Sequence, residues 1–496
     1  MFIGREEEIA ALSELWGRDR GILVTCRGRR RIGKSTLIEE FAARTADHFL
    51  AIEGLAPRKG LDDDAQRRHF CEKVAEFSGC EVKKSATWSL AFAALDEVLP
   101  ERGRIVVLLD EISWLGGYNA DFPSYLKEAW DRKFKKHPNL IFVLCGSVSS
   151  WIAENILDNT GFVGRRSMDL ELKELPPGDC VKMWGPSADR LSVRETIDLL
   201  SLTGGVPKYV EEVRPELTAD ENIRKLCFLP RGFLFKEFDD MFSSAFGQRV
   251  KSRGSILRLL MSGPKTGAEL AEIEGGESSG NYTKVLRDLQ LAGFVSGDGG
   301  LNPQTGKPLR EVRYRIRDNY VRFYLHYVEP RKTAIENGLF EFSSLEQLDG
   351  WNIRLGFQFE NLVLNHVTRL FPLLGLEQSL VLSAAPYVQK GTKHRKGCQI
   401  DLLVQTERTL FVVEIKRRKE IGHSIISEVE DKVKSFKYDR RQSVRTALVY
   451  DGDLVASVPA SRYFDFLISA EELFGLTVRT AMPKERVPRG WSNKDR

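Results

Sequence analysis

Gly28-Arg29-Arg30-Arg31-Ile32-Gly33-Lys34-Ser35 is the stretch on which the reading of this chain turns. It fits the pattern G-x-x-x-x-G-K-[ST], and its neighbours matter as much as its letters. Residues 22–26 before it form a short apolar run that reads as a buried strand, and residues 35–43 after it carry a helical pattern. Strand, glycine-rich loop and helix N-terminus together make a phosphate cradle. Glycine lets successive backbone N–H groups face one way, and the helix end adds a favourable dipole. Lys34 is predicted to reach the β- and γ-phosphates of a nucleotide and Ser35 to hold Mg²⁺, with Gly28, Arg31, Gly33 and Thr36 around them.

The second half of such a site lies 76 residues after Lys34. Ile105-Val106-Val107-Leu108-Leu109-Asp110-Glu111 is a buried strand that ends in two carboxylates. Buried acids are costly without a cation beside them. Asp110 is expected to bind Mg²⁺ through water, and Glu111 to polarise the attacking water as a general base. A further strand at 140–145 runs into Gly146-Ser147, which sets Ser147 within reach of the γ-phosphate. ATP and Mg²⁺ are therefore the expected cofactors.

The bulk composition fits a folded soluble protein of several domains: 496 residues, 42% apolar, 29% charged. A net charge of +4 says nothing by itself about nucleic acid. Clusters such as Arg29-Arg30-Arg31 and Lys416-Arg417-Arg418-Lys419 read first as solvated faces. The seven cysteines form no C-x-x-C pair, so neither a zinc site nor a disulfide framework is expected. There is no signal-peptide pattern and no long uncharged apolar run, so the expectation is a cytoplasmic protein without a membrane partner.

Short strand-like runs at 22–26, 49–52, 105–109 and 140–145 alternate with helical patterns, which predicts an α/β parallel sheet over residues 1–170. Residues 171–248 read as helical. Residues 249–330 hold three short helices and a glycine-rich hairpin, 331–350 read as a linker, 351–482 as a second α/β unit, and 483–496 as a basic tail.

Two further motifs carry a family resemblance. Phe2-Ile3-Gly4-Arg5-Glu6-Glu7-Glu8 is similar to the start of STAND-class NTPases, and Gly205-Val206-Pro207 resembles their GxP motif. With the phosphate loop, Asp110-Glu111 and Cys145-Gly146-Ser147, the chain resembles the archaeal-type ATPases of the AAA+/STAND kind over residues 1–245. The resemblance implies a P-loop NTPase sheet in which the Ser147 strand lies between those of Lys34 and Asp110. It also implies a helical lid, with Gly4 and Arg5 near the base and Pro207 closing the site. Arg165 and Arg166 match a family arginine that contacts the γ-phosphate in cis or across the interface of a homo-oligomer.

Some members of that family continue into a winged helix and a restriction-endonuclease-like domain. Helical stretches at 255–260, 267–273 and 282–292, with Thr266 as an N-cap, lead to a hairpin ending at 312–316. The third helix exposes Lys284 and Arg287 as candidate DNA contacts. Farther on, strands at 400–405 and 410–416 joined by residues 406–409 set Asp401 opposite Glu414, with Lys416 on the same face. This is the D…E-x-K pattern of metal-dependent nucleases. Asp401 and Glu414 are candidate Mg²⁺ ligands and Lys416 orients the attacking water. Glu360 resembles the extra acid that the first helix of this fold supplies, and Lys393 and Arg395 lie where they reach the DNA backbone.

Three readings compete. The first is an ATPase that couples nucleotide state to DNA binding and metal-dependent cleavage. The second is a STAND-type regulatory switch whose C-terminal unit is a non-catalytic interaction module. The third, a metabolic kinase, is opposed by the Asp110-Glu111 pair and the appended units.

Overall fold

The computed structural model describes residues 2–81, 85–147, 150–246, 250–273, 279–342, 344–391 and 396–476. Lys393, Arg395 and the basic tail lie outside them.

The N-terminal sheet contains β1 (Ile22–Gly28), β2 (His48–Glu53), β3 (Ile105–Asp110), β4 (Leu140–Ser147) and β5 (Arg166–Leu172). All neighbours are parallel and the order is β2-β3-β4-β1-β5. The three central strands, β3, β4 and β1, are almost continuous Val, Ile and Leu because both faces are covered. The helix Lys34–Thr45 packs on one face, and Trp88–Val98 and Phe122–Arg132 pack on the other. β4 lies between β1 and β3, the order the family resemblance implies. Gly28, Ser147 and Asp110 therefore end at the same edge, where α/β sheets hold their ligands.

The boundary at residue 170 needs correction, because β5 crosses it. Arg166-Ser167-Met168-Asp169-Leu170-Glu171-Leu172 alternates polar and apolar, as an edge strand does. Arg27 of β1 pairs with Asp169 and Glu171 across that edge.

The next stretch is helical: Pro177–Met183, Val193–Thr203, Pro207–Glu211, Ala219–Cys227 and Phe233–Phe246. Two of these helices begin with reciprocal capping boxes, Ser192 with Glu195 and Thr218 with Glu221. Three helices follow, Val250–Leu260, Gly267–Ile273 and Ser279–Leu291. β6 (Lys265–Thr266), β7 (Val295–Asp298) and β8 (Arg313–Ile316) form a small antiparallel sheet beside them. Thr266 caps the second helix, its Oγ1 accepting from the Glu269 N–H at 3.1 Å.

Residues 331–350 are not a linker. Ile335, Leu345 and Leu348 are buried, and Phe340 and Phe342 pack on Phe228. One apolar cluster includes residues from Leu175 to Leu476, so the helical stretch and the C-terminal unit share a core.

The C-terminal unit begins with the helix Trp351–Asn365. It continues through β9 (Ser383–Gln389), β10 (Cys398–Gln405), β11 (Thr409–Ile421), the helix Ser424–Ser435, β12 (Ser443–Leu454) and β13 (Phe466–Ser469). β9, β10 and β11 are antiparallel neighbours, and β11, β12 and β13 are parallel. β11 runs to Ile421, past the end at 416 that its hydrophobic pattern suggests. Its Arg417 is buried between Asp198 and Asp451, so the basic cluster there is only partly a solvated face.

Candidate functional site

The first site lies at the shared edge of β1, β3 and β4. Gly33 has φ +86° and precedes the helix Lys34–Thr45, a left-handed turn that glycine adopts without strain. Gly28 is needed for space, since a Cβ there would lie 2.6 Å from the Leu172 carbonyl. Lys34 Nζ donates to the Arg29 carbonyl at 3.2 Å and to Ser147 Oγ at 3.4 Å. Ser35 Oγ donates to Asp110, whose other carboxylate oxygen accepts the Glu111 N–H at 2.9 Å.

Glu111 is one of four non-glycine residues at positive φ among the described residues (φ 45°, ψ 49°). Its carboxylate accepts from Ser147 Oγ at 2.9 Å and from the Ser147 N–H at 3.3 Å. Glu53, which ends β2 beside Asp110, is held above the usual carboxylate range by burial and then by Asp110 and Glu111. Negative charge is thus concentrated where the strands end.

A cavity of about 560 Å³ opens over this edge, within the size range of small-ligand sites. Arg5, Arg31, Gly33, Lys34, Ser35, Thr36, Glu111, Ser147 and Pro207 line it. Asp110 sits behind Ser35. Gly4 and Gly28 shape the backbone and do not line the cavity. Arg165 is not there either. Its guanidinium makes a two-point pair with Asp131 at 2.6 and 2.9 Å, and Arg166 donates to the Leu157 carbonyl. Phe2, Lys208 and Glu211 are also in the wall.

The reading of Arg29-Arg30-Arg31 as a solvated face is overturned. Arg29 is 4% exposed and forms an ion pair with Asp318. Its guanidinium also reaches Tyr209 Oη at 3.3 Å. Arg31 makes a two-point pair with Glu237 at 3.1 Å, and Tyr209 Oη donates to the same carboxylate at 3.1 Å. Burial raises the Asp318 carboxyl even though Arg29 pulls it down. Sequence spacing held no signal for this pair, which joins residues 29 and 318.

The second site lies in the C-terminal sheet. The ladder Leu402↔Val413, extended by one residue, sets Asp401 opposite Glu414. Asp401 Oδ2 accepts the Ile415 N–H at 3.0 Å. Glu414 is fully buried, with Lys416 Nζ 2.7 Å from one oxygen and Lys432 Nζ 2.6 Å from the other. Lys432, on the helix Ser424–Ser435, also stands 3.7 Å from Asp401. Sequence reading missed it, although it shares the helix with an apolar face of Ile425, Ile426 and Val429. Burial, then Glu414, raises the Asp401 carboxyl, and burial, then Asp401, raises that of Glu360. Glu360, Asp401 and Lys416 line a cavity of about 1090 Å³. Among the described residues no three His, Cys, Asp or Glu side chains gather closely enough to hold a metal.

Lys284 and Arg287 are exposed on the helix Ser279–Leu291, but both are engaged. Lys284 pairs with Glu154 at 3.0 Å and Arg287 with Asp158, so in this conformation they face the N-terminal unit. Among the described residues no helix is long and apolar enough to cross a membrane.

The phosphate loop, the strand order and the acid pair, set on an α/β parallel sheet, resemble those of P-loop ATPase domains. Residues 2–213 match the ATPase domain family described as predominantly from Archaea. An uncharacterized protein of Methanocaldococcus jannaschii is 24% identical over 422 residues, which is 84% of this chain and 87% of that one. An uncharacterized ATP-binding protein of the same organism is 42% identical over 41 residues, 8% of this chain and 70% of that protein. Among solved structures, a Walker-type ATPase of Pyrococcus abyssi aligns with TM-score 0.46 and 17% identity, covering 65% of this chain and 96% of that one. The ORC2 protein of Aeropyrum pernix, in ADPNP-ADP complexes, aligns with TM-score 0.41 and 13% identity, covering 68% and 94%.

Proposed function

We propose that the chain is an ATP-hydrolysing protein whose nucleotide state controls a metal-dependent nucleic-acid-cleaving centre at Asp401, Glu414 and Lys416. The observation that carries the second half is that Asp401 and Lys416 line a large cavity, with the fully buried Glu414 paired to Lys416.

In the ATPase site Lys34 binds the β- and γ-phosphates, Ser35 and Asp110 hold Mg²⁺, and Glu111 takes the proton of the attacking water. Ser147 already touches both Lys34 and Glu111, so it reports phosphate to the catalytic acid. In the C-terminal centre the fit for a divalent ion rests on charge. Asp401 and Glu414 repel one another, and each draws on the Lys432 ammonium. A divalent ion held by these two acids supplies Lewis-acid activation of water and offsets phosphate charge. Lys416 orients the water, and Glu360 lies near enough to feel both acids. The helix, antiparallel strands, helix and parallel strands follow the order of the restriction-endonuclease-like fold, and the three helices with β6–β8 follow that of a winged helix.

The alternative, a regulatory switch with a non-catalytic C-terminal module, draws support from Lys432. Its ammonium stands within ion-pair distance of both acids, 2.6 Å from Glu414 and 3.7 Å from Asp401. Labelled DNA incubated with Mg²⁺ or Mn²⁺ separates the two. Cleavage by the full chain that disappears in Glu414→Gln and Lys416→Ala is the expected result. Intact DNA under every condition, alongside ATP hydrolysis, would select the switch.

A further inference from the structure

The cavity over Asp401 and Glu414 has two walls of different chemistry. One is the helix Trp351–Asn365, which presents Ile353 and Phe357 at 68% and 40% exposure. The Phe357 ring stands over two guanidinium groups, 5.4 Å from Arg322 and 6.0 Å from Arg354. Arg322 Nη1 also donates to the Phe357 carbonyl at 3.3 Å, which fixes this turn of the helix. The other wall is the far end of β11, where Arg418 and Lys419 are exposed, and Arg194 stands at the rim. Among the described residues none of these five cations has a carboxylate within ion-pair distance, unlike Lys416 and Arg417 beside them.

Carboxylates line the cavity too, Glu346, Glu360, Asp451, Asp453 and Glu471 among them, but Arg194, Arg418 and Lys419 are lining cations held in no ion pair among the described residues and so are free to meet phosphate. An exposed aromatic ring in the same wall adds a second demand, a flat apolar partner. Grooves that track an unpaired strand combine these two features, bases stacking on the ring and phosphates meeting the cations. A duplex cannot satisfy Phe357, because each of its bases is paired and already stacked on its neighbours. An unpaired strand, frayed end or flap presents a free base face.

We infer that this cavity takes an unpaired nucleic-acid strand, with a base stacked on Phe357 and the backbone passing Arg418 and Lys419 toward Asp401. The inference rests on the nuclease reading above and narrows it to a substrate class.

The test is fluorescence anisotropy with the full chain in EDTA, so that binding is read without cleavage. The probes are a single-stranded oligonucleotide, as DNA and as RNA, and the blunt DNA duplex of the same sequence. The expected result is tighter binding of the single strand of either sugar than of the duplex. Phe357→Ala weakens the single strand about tenfold and leaves the duplex unchanged, and Phe357→Trp restores it. Arg418→Ala with Lys419→Ala weakens binding and flattens its salt dependence. Thermal melting of each variant guards against misfolding. Duplex bound as tightly as single strand, no binding of either, or single-strand affinity indifferent to Phe357→Ala would overturn the inference. Cleavage of duplex that needs Glu414 would still stand in that case. Single strands bound through Phe357 yet never cut in Mg²⁺ or Mn²⁺ would leave the inference and remove the nuclease.

Discussion

Glu111 sits in the left-handed region, where a residue with a Cβ is strained, and it is held there by two hydrogen bonds from Ser147. Strain of this kind persists where the surroundings fix it, and it clusters at working sites. Glu111→Gln is expected to keep ATP affinity and to lower the hydrolysis rate about 10²-fold or more. Steady-state phosphate release together with equilibrium nucleotide binding checks this, and an unchanged rate would remove Glu111 from the chemistry. Arg29 and Asp318 make a second prediction. Neither side chain meets water, so removing one partner leaves a buried charge. Asp318→Ala is expected to destabilise the fold by about 3–5 kcal/mol, with Arg29→Met added to it recovering much of the loss. Urea unfolding of the single and double variants reads both numbers. That Lys34, Ser35, Asp110 and Glu111 meet at one end of the sheet was legible because the motifs fix them within short stretches of chain. The burial of Arg29 was not, because its partner Asp318 comes from the unit at 249–330, beyond the whole helical stretch.

The strands β1, β3 and β4 were readable as elements because burial on both faces leaves an unmistakable apolar run. β5 was lost to the helical lid because an edge strand that alternates charge with apolar residues is short and weakly patterned. The register of β10 on β11 could be read from a four-residue connection, which is why Asp401 and Glu414 could be set opposite one another. Lys432 could not be found that way, since it comes from the helix that packs across the sheet. His366 follows the helix Trp351–Asn365, buried against Phe474, and burial holds its imidazole down at about 4 against an ordinary 6.5. The unfolded chain therefore binds a proton from pH 6.5 downward that the folded chain refuses until about 4. Stability from this residue is fully present above 6.5 and is lost as pH falls through that window. The loss approaches roughly 3 kcal/mol, and His366→Gln is expected to flatten the acid side of the stability profile by about that much. Identical profiles for the two proteins between those pH limits would contradict it.

Across the whole molecule, the phosphate loop and the C-terminal centre are joined by buried polar contacts. Arg29 meets Asp318, and the next residue, Asn319, exchanges hydrogen bonds with Gln358 at 2.8 and 3.1 Å. Asn361 donates to Asn319 Oδ1 at 2.6 Å. Gln358 and Asn361 share the helix of Glu360 and Phe357. Arg417 adds a second bridge, from Asp198 of the helix Val193–Thr203 to Asp451 of β12. Residues 331–350 read as a linker because their pattern is weak, yet aromatic packing makes them part of the core. A composition reading divides the chain into separate units. The shared core instead offers a physical route for the proposed coupling of nucleotide state to the second site. That coupling is the central claim, and the rate of metal-dependent cleavage under ATP, ADP and no nucleotide tests it most directly. The account predicts a rate that changes several-fold between ATP and ADP in the wild type and not at all in Lys34→Ala. Equal rates in all three states, with cleavage still abolished by Glu414→Gln, would contradict it.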